Sequence, residues 1–245
     1  MCTVSWLPDR LGYTLCFNRD ERLTRAPALP PAVRDGGAVQ YIAPLDGNFG
    51  GTWLASNAFG LSLGILNRYR VPGYVAPPSP RSRGLLPLQL IAHPTAAEAV
   101  AGLGTTDLGA TQPFVLIAVE PGGPVRLAGW DGSTLEVTSH ARAGLIMTSS
   151  SVTEPEVAAS RQALFGALHE ISVQQLESLH RSHLPERGRC SVCMHREDAE
   201  TQSFSEIRVT AHQVSWLHTP DAPCRGAALP AITLARRALH CPSPS

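Results

Sequence analysis

The sequence MCTVSWLPDRLGYTLCFNRDE at residues 1–21 predicts a β-hairpin. Its two halves are rich in β-branched and aromatic residues, and residues 8–12 between them have the Pro, Asp and Gly composition of a turn. A turn centred near Arg10 places Cys2 opposite Asn18 in an antiparallel pair. The hairpin is therefore expected to bring the cysteine next to the polar tetrad NRDE at residues 18–21.

Cys2 is the candidate nucleophile of this hairpin. We expect Met1 to be removed because the second residue is small, which leaves a thiol and a free α-amine on Cys2. With an unperturbed pKa of about 7.7–8.0, that amine can accept the proton of the thiol. Arg19 would favour the thiolate, and Asp20 would accept a hydrogen bond from the ammonium form. Taken singly, these residues suit a terminal cysteine and a solvated turn, whereas together they favour a catalytic site.

Four motifs resemble those of a known family. They are MC at residues 1–2, CFNRDE at 16–21, GGTWLA at 50–55 and NRY at 67–69. In order and spacing they resemble the NRDE family, which is that of transport and Golgi organisation protein 2. The segment SRG at residues 82–84 and the later strand pattern fit more loosely. This family is similar in fold to N-terminal-nucleophile hydrolases with an N-terminal cysteine, such as choloylglycine hydrolases and penicillin V acylases.

The resemblance implies a four-layer αββα sandwich and a set of site residues. In choloylglycine-type enzymes an Asn after the matching hairpin stabilises the oxyanion, so the resemblance implies that role for Asn67. The segment TSSS at residues 148–151 stands where the family usually has an Asn flanked by serines, which leaves the second oxyanion donor open, although Ser149 can still hydrogen-bond a substrate. The catalytic candidates are Cys2, Arg19, Asp20 and Asn67, and the substrate-binding candidates are Asn18, Glu21, Gly50, Gly51, Trp53, Ser149 and Arg196.

Two functions are compatible with these residues. The first is hydrolysis of an amide C–N bond in a small non-peptide or N-acyl substrate, through a thioester on Cys2. The second is non-catalytic trafficking of haem or acyl lipids by the same pocket, which the resemblance to eukaryotic members implies. The absence of that Asn favours this second function.

Composition excludes several other classes of protein. With 20 Lys+Arg against 20 Asp+Glu, the formal charge is zero, so we expect no binding of nucleic acid or of anionic membranes. The sequence has no lysine, which excludes Schiff-base chemistry and a Walker-type phosphate loop. No signal peptide or membrane span is recognisable, and the 6 cysteines are too sparse for a disulfide scaffold. We expect a cytoplasmic protein with one domain over residues 1–245; no oligomeric state is predicted.

The order of elements predicts an α+β fold. Strand pairs, two helices, a β-meander, two more helices and a last hairpin suggest two antiparallel sheets between helical layers. Helices are predicted at residues 84–93, 95–103, 153–168 and 172–183, with capping boxes at Thr95 and Thr153. Residues 23–37 are predicted to form a long surface loop, either a lid or an irregular connection. A loose tail is predicted from residue 222.

The segment CSVCMH at residues 190–195 resembles half of a zinc site. No second Cys/His pair lies at the usual spacing in sequence, and alternation in a strand would point Cys190 and Cys193 to opposite faces. A buried strand is therefore the favoured interpretation, and neither a metal nor another cofactor is expected. The charged residues 195–198 that follow suit either a solvated turn or the rim of a site, which makes Arg196 a candidate.

Overall fold

The computed structural model describes residues 2–141, 144, 146–151, 153–169 and 171–238. Within that part the chain forms two antiparallel sheets, whose strands are numbered along the sequence. The first sheet has the order β10 (Ile146–Ser149), β1 (Cys2–Pro8), β2 (Tyr13–Arg22), β11 (Ala199–Val209), β12 (Gln213–Thr219) and β13 (Ile232–Ala235). The second has the order β3 (Leu29–Asp35), β4 (Gln40–Leu45), β5 (Leu54–Asn57), β6 (Ser62–Asn67), β7 (Phe114–Val119), β8 (Val125–Trp130) and β9 (Leu135–His140).

Two pairs of helices cover the outer faces of the sheets. They are α1 (Leu85–Leu90) and α2 (Ala96–Gly104) on the second sheet, and α3 (Glu154–Gly166) and α4 (Val173–Arg181) on the first. None of the helices in the described part is long and apolar enough to cross a membrane. The layers follow the order helix, sheet, sheet, helix, so the predicted αββα sandwich is confirmed.

The core between the sheets comes from alternate residues of each strand. Trp6, Leu15 and Phe17 from the first sheet pack against residues such as Ile42 and Leu54 from the second, and all are buried. Each such side chain contributes about 1.5–3 kcal/mol through burial. The intervening residues of β1 and β2 face α3 and α4, so neighbours along one strand belong to different layers.

The predicted register of the first hairpin is wrong by one residue. Cys2 lies opposite Arg19, not Asn18. The turn contains four residues, since the N–H of Asp9 donates to the carbonyl oxygen of Gly12 at 3.0 Å. The carboxylate of Asp9 also accepts a hydrogen bond from the N–H of Leu11 at 2.7 Å, which stabilises this turn. A shift of one residue exchanges the faces of a strand, so Cys2 shares its face with Arg19.

Two segments predicted to be irregular contain strands. β3 lies within the predicted 23–37 loop, and its register shifts between Leu29 and Ala32, where two prolines stand. Proline is tolerated there because β3 is an edge strand. In the predicted tail, β13 pairs with β12. In both cases pairing with a neighbouring strand overrides a composition typical of loops.

The helices begin where expected, but one predicted cap is wrong. Thr95 accepts a hydrogen bond from the N–H of Glu98 at 3.1 Å and so caps α2, but the Glu98 carboxylate bonds the Thr95 hydroxyl at 3.0 Å and not the backbone N–H that the predicted capping box requires. Thr153 has φ 43° and makes no capping hydrogen bond; α3 instead begins with Glu154 and a proline, which suit a first turn. Ser172, which was not predicted as a cap, forms a capping box with Gln175 at the start of α4.

Candidate functional site

Cys2 lies in the middle of three strands at one end of the sandwich. It is opposite Ser149 on β10 and opposite Arg19 on β2. The backbone nitrogen of Cys2 donates a hydrogen bond to the Ser149 Oγ at 3.3 Å. Met1 and its predicted removal lie outside the described residues. The structure therefore brings three of the predicted site residues together, and it gives Ser149 a contact with the backbone of the cysteine.

The surroundings of the thiol act on its pKa in opposite directions. Burial raises the pKa of Cys2, and the charge of Asp20 raises it further. The backbone N–H of Asp20 and the positive charge of Arg19 lower it, but they do not compensate for burial. The thiol is therefore mainly protonated at neutral pH and needs a nearby base to become a nucleophile.

Arg19 is held rigidly on the same face as Cys2. Its Nη2 donates to Asp46 Oδ2 at 3.0 Å and lies 3.6 Å from the carboxylate of Glu21. The guanidinium also stacks over the ring of Trp53, at 4.4 Å from its centre. Trp53 and Glu21, both predicted to bind substrate, thus contact Arg19 directly.

Asp46 anchors this group of charges, and its role was not predicted. Burial opposes its ionisation, but hydrogen bonds and charge from Arg25 and the N–H groups of Phe49 and Asn48 lower the pKa of Asp46. The Arg25 Nη2 donates to it at 2.9 Å. The sequence around it, DGNFG at residues 46–50, is typical of a turn. That pattern does not indicate that the half-buried carboxylate pairs with arginine, since the partners are brought together only by the fold.

The carboxylate of Asp20 contacts groups in the layer of α3, and its charge still reaches Cys2. Its Oδ1 accepts a hydrogen bond from the Thr201 hydroxyl at 2.6 Å, and its Oδ2 lies 3.6 Å from Arg161 Nη1. Burial raises the pKa of Asp20, while the charge of Arg161 lowers it. The carboxylate is therefore fixed in a buried polar network directly behind the strand that carries Arg19.

Arg161 is a fully buried arginine that the sequence prediction missed. Its guanidinium donates to the hydroxyl of Thr3, the residue after Cys2, and to the carbonyl oxygens of Arg189 at 3.3 Å and Cys190 at 3.4 Å. Val157 lies one turn earlier on the same inward face of α3. A charged residue on the apolar face of a predicted helix was the available signal, since buried arginine needs partners.

Asn67 ends β6, and its carboxamide donates to the Tyr69 hydroxyl at 2.6 Å. Burial raises the pKa of Tyr69; the bond from Asn67 lowers it, and the charge on Cys2 raises it. Burial lowers the pKa of Arg83, which the charges of Tyr69, Cys2 and other groups raise. Tyr69 and Arg83 are therefore within electrostatic reach of Cys2, although only their motifs, and no role, were noted from sequence.

The tandem glycines allow close contact within the chain. A Cβ on Gly51 would lie 2.6 Å from the carbonyl carbon of Gly84, and the N–H of Thr52 donates to the Gly84 oxygen at 2.8 Å. Gly50 has φ +65°, which favours glycine. Gly50 and Gly51 were predicted to bind substrate, whereas the close contact observed is between Gly51 and the backbone of Gly84.

Two other predicted substrate contacts are engaged elsewhere. The Asn18 carboxamide donates to the carbonyl oxygens of His180 at 2.9 Å and Val192 at 3.0 Å, on the face opposite to Cys2. Arg196 forms a bidentate pair with the exposed carboxylate of Asp198. Asn18 thus ties β2 to α4 and to the loop that follows it.

One group of side chains in the described residues has the composition of a metal site. The predicted strand over residues 190–194 is wrong, because the chain there is a loop without strand pairing. That loop turns Cys193 toward His183, His195 and Cys224. The second Cys/His pair that was not found at the usual spacing is thus supplied by distant segments.

A cavity of about 350 Å³ lies at the other end of the sandwich. It is lined by residues such as Arg10, Leu11 and Arg236. These flank the turn between β1 and β2, which is about 20 Å from Cys2 along the strand. Its described lining offers no nucleophile, so the chemistry favours the end that carries Cys2.

Comparisons with known proteins agree on the fold. The sequence model of a family described as Transport and Golgi organisation 2 matches residues 1–208. No curated protein sequence matches the chain significantly. Similar solved structures include an N-acylethanolamine-hydrolyzing acid amidase orthologue from Caenorhabditis elegans, with a TM-score of 0.61 and 12% sequence identity over 84% of this chain and 92% of that one. A variant of conjugated bile acid hydrolase from Clostridium perfringens has a TM-score of 0.55 and 12% identity over 94% of this chain and 92% of that one. Penicillin V acylase from Agrobacterium tumefaciens has a TM-score of 0.54 and 11% identity over 90% of this chain and 83% of that one. At this identity the likeness concerns fold, which is that of N-terminal-nucleophile hydrolases.

Proposed function

Since this chain belongs to the Transport and Golgi organisation 2 family, we propose that it is an amide hydrolase whose nucleophile is the thiol of Cys2. The observation that carries this proposal is the hydrogen bond from the Cys2 nitrogen to the Ser149 Oγ, with Arg19 directly opposite on the other side. The proteins of similar fold include an amidase named for hydrolysing N-acylethanolamines and a penicillin V acylase, which supports hydrolysis of an amide at this site.

The first step needs the α-amine that removal of Met1 would expose. That nitrogen would accept the proton of the Cys2 thiol, and Ser149 would hold it in place. The raised pKa of the thiol makes such a base necessary. The nearby carboxylate of Asp20, held by Thr201, would stabilise the ammonium that forms.

The second step forms and breaks the acyl bonds. The Cys2 sulfur attacks the amide carbon, and the carbonyl electrons move to oxygen to give a tetrahedral oxyanion. The carboxamide of Asn67 would stabilise this oxyanion after exchanging its Tyr69 partner for the substrate. Collapse of the intermediate breaks the C–N bond, and the leaving amine takes the proton from the ammonium. Water then hydrolyses the thioester and regenerates the thiol.

The charges near Cys2 favour a substrate with an anionic or strongly polar group. Arg19 is partly neutralised by Asp46 and Glu21, whereas Arg83 is bonded to the carbonyl oxygen of Pro113 at 3.0 Å, a neutral group. Arg83 is thus the better candidate to bind an acidic group of a small amide or N-acyl substrate. The alternative, a carrier of haem or acyl lipid, would use the same charges without hydrolysis.

The decisive experiment combines intact mass with turnover. Protein made in cells should lack Met1, release amine from at least part of a panel of N-acyl amides, and be labelled on Cys2 by a thiol-reactive lactone. Cys2→Ala should abolish turnover and labelling with the fold intact, while Cys190→Ala, which removes a half-buried thiol elsewhere, should retain both. Full retention of Met1 on active protein would contradict the mechanism. Unchanged ligand binding by Cys2→Ala, without turnover by the wild type, would support the carrier.

A further inference from the structure

We infer that His183, Cys193, His195 and Cys224 form a structural zinc site. Their four ligating atoms all lie within 4.8 Å of one another. His183 follows α4, Cys193 and His195 come from the next loop, and Cys224 comes from the turn after β12. Segments that are distant in sequence thus converge on one point, and this site is independent of the hydrolase proposal.

Three of the six separations between ligating atoms match those of a tetrahedron around zinc. Zinc binds sulfur at about 2.3 Å and histidine nitrogen at about 2.0–2.1 Å, which separates a sulfur from a nitrogen by about 3.5 Å and two nitrogens by about 3.3 Å. The Nε2 of His195 lies 3.5 Å from Cys193 Sγ, 3.5 Å from Cys224 Sγ and 3.3 Å from the Nε2 of His183. Three pairs of atoms therefore already have the spacing that one ion would impose.

The chemistry of the donors selects the metal. Cys193 and Cys224 are free thiols, so both sulfurs are available as thiolate ligands. Two thiolates with two imidazoles are the ligand set of tetrahedral zinc, whereas magnesium and calcium require oxygen. Four protein ligands leave no open position for water or substrate, so the ion would be structural and not catalytic.

A carboxylate supports the orientation of one imidazole. The Glu200 Oε2 lies 3.4 Å from His195 Nδ1, the nitrogen that faces away from the cluster. Arg225, the residue after Cys224, donates to both oxygens of Glu200 at 2.8 and 2.6 Å. Arg187 approaches the same Nδ1 at 3.4 Å. A carboxylate behind a ligating histidine fixes the tautomer that leaves Nε2 free to bind metal.

The ion would hold the loop that lies behind the NRDE tetrad. Between Cys193 and His195, the N–H of Met194 donates to Thr201 Oγ1 at 2.9 Å, and that hydroxyl donates to Asp20. On the other side of Cys193, Val192 accepts from Asn18. The metal would therefore act as a positioning element for the strand that carries Arg19, through these contacts.

The test measures metal in the full-length protein purified without chelator. We expect about one zinc per chain by mass spectrometry of the metals, and ligand-field bands of tetrahedral cobalt after exchange with Co²⁺. Cys193→Ser, Cys224→Ser and the double variant should lose the ion and unfold at lower temperature. Cys190→Ser is the matched control, since it alters the neighbouring cysteine of the same motif without removing a ligand, and it should keep the full metal content.

A milder variant makes the test independent of misfolding. Glu200→Gln keeps the size of the side chain but removes its charge, and it should weaken zinc affinity about 10–100-fold in a chelator competition. Wild-type protein that contains no zinc, and whose melting temperature does not rise when zinc is added, would overturn the proposal. So would metal content that is the same in the wild type and the Cys193/Cys224 double variant, or a Cys193–Cys224 disulfide in freshly isolated protein.

Discussion

The side chains of the NRDE tetrad divide between the two faces of β2. Arg19 and Glu21 share the face of Cys2 and contact one another at 3.6 Å. Asn18 and Asp20 face the helical layer, where both make buried polar contacts. Because side chains alternate along a strand, half of the motif surrounds the nucleophile and half fixes the strand to the layer behind it.

Asp20→Asn tests whether the charge behind the strand assists catalysis. The variant keeps the size and part of the hydrogen bonding with Thr201 but removes the charge that would stabilise the ammonium on Cys2. Charge-assisted contacts contribute about 1.5–3 kcal/mol, so we expect the rate of amide hydrolysis to fall on the order of ten- to a hundredfold. The pKa of the amine should fall as well, which moves the acid limb of the pH–rate profile to lower pH.

The matched control for this variant is Asp198→Asn. Asp198 also pairs with an arginine, Arg196, but it is exposed. The Asp198→Asn variant should leave both the rate of hydrolysis and the pH–rate profile unchanged, since exposed pairs contribute under about 1 kcal/mol to stability. An Asp20→Asn enzyme with native circular dichroism, near-full activity and an unmoved profile would remove Asp20 from the mechanism.

Ser149→Ala tests the contact that carries the proposed function. It removes the acceptor for the Cys2 nitrogen, a hydrogen bond of about 0.5–1.5 kcal/mol. We expect kcat to fall by up to about tenfold, with little change in KM, because the amine would lose its orientation. Ser139→Ala, on the exposed strand β9, is the control. An unchanged kcat in both variants would mean that Ser149 does not orient the base.

At the scale of elements, sequence patterns located the helices and most of the strands but not their contacts. The hairpin of β1 and β2 was predicted, yet its register depended on how many residues the Asp9 turn encloses, which composition does not encode. The motif at residues 190–195 favours a buried strand from sequence alone, because no second Cys/His pair lies at the usual spacing. Such long-range convergence is a property of the folded chain, and only the local half of the motif was visible.

Thr153 precedes α3 and Ser172 precedes α4, so the two residues allow a direct comparison of helix caps. Ser172→Ala removes a hydroxyl that accepts from the N–H of Gln175, so the free energy of unfolding should fall by about 1 kcal/mol. Thr153→Ala removes no capping bond and should change it by less than about 0.5 kcal/mol. Urea unfolding of both variants checks this, and equal losses would mean that Thr153 caps α3 in solution.

At the scale of the whole molecule, the zero net charge conceals buried charges between the layers. Arg161 and Asp20 lie between the first sheet and α3. Glu206 of β11 is also buried, bonded to Arg208 at 2.9 Å and interacting with Glu177 of α4. Charges in this layer make the stability of the fold depend on pH, and the direction of the pKa shift is clearest for Glu206.

Glu206 should make the protein less stable as the pH rises toward neutrality. Burial, followed by the neighbouring carboxyl group of Glu177, raises the pKa of Glu206 from 4.5 to about 7, although Arg208 opposes the shift. The folded chain therefore binds this proton more tightly than the unfolded chain does. The resulting stabilisation is fully present below pH 4.5 and is lost as the pH rises through about 7.

Glu206→Gln mimics the protonated form at every pH and should remove this dependence. The free energy of unfolding in urea, measured from pH 4.5 to 7.5, should fall more steeply for the wild type than for the variant, by at most about 1.4 kcal/mol per pH unit. Glu136→Gln, on the exposed strand β9, should follow the wild-type curve. Parallel curves for wild type and Glu206→Gln would mean that Arg208 keeps the carboxylate ionised throughout. Convergence of the curves at low pH, with the variant more stable near neutrality, would identify Glu206 as a buried acid that favours the protonated state.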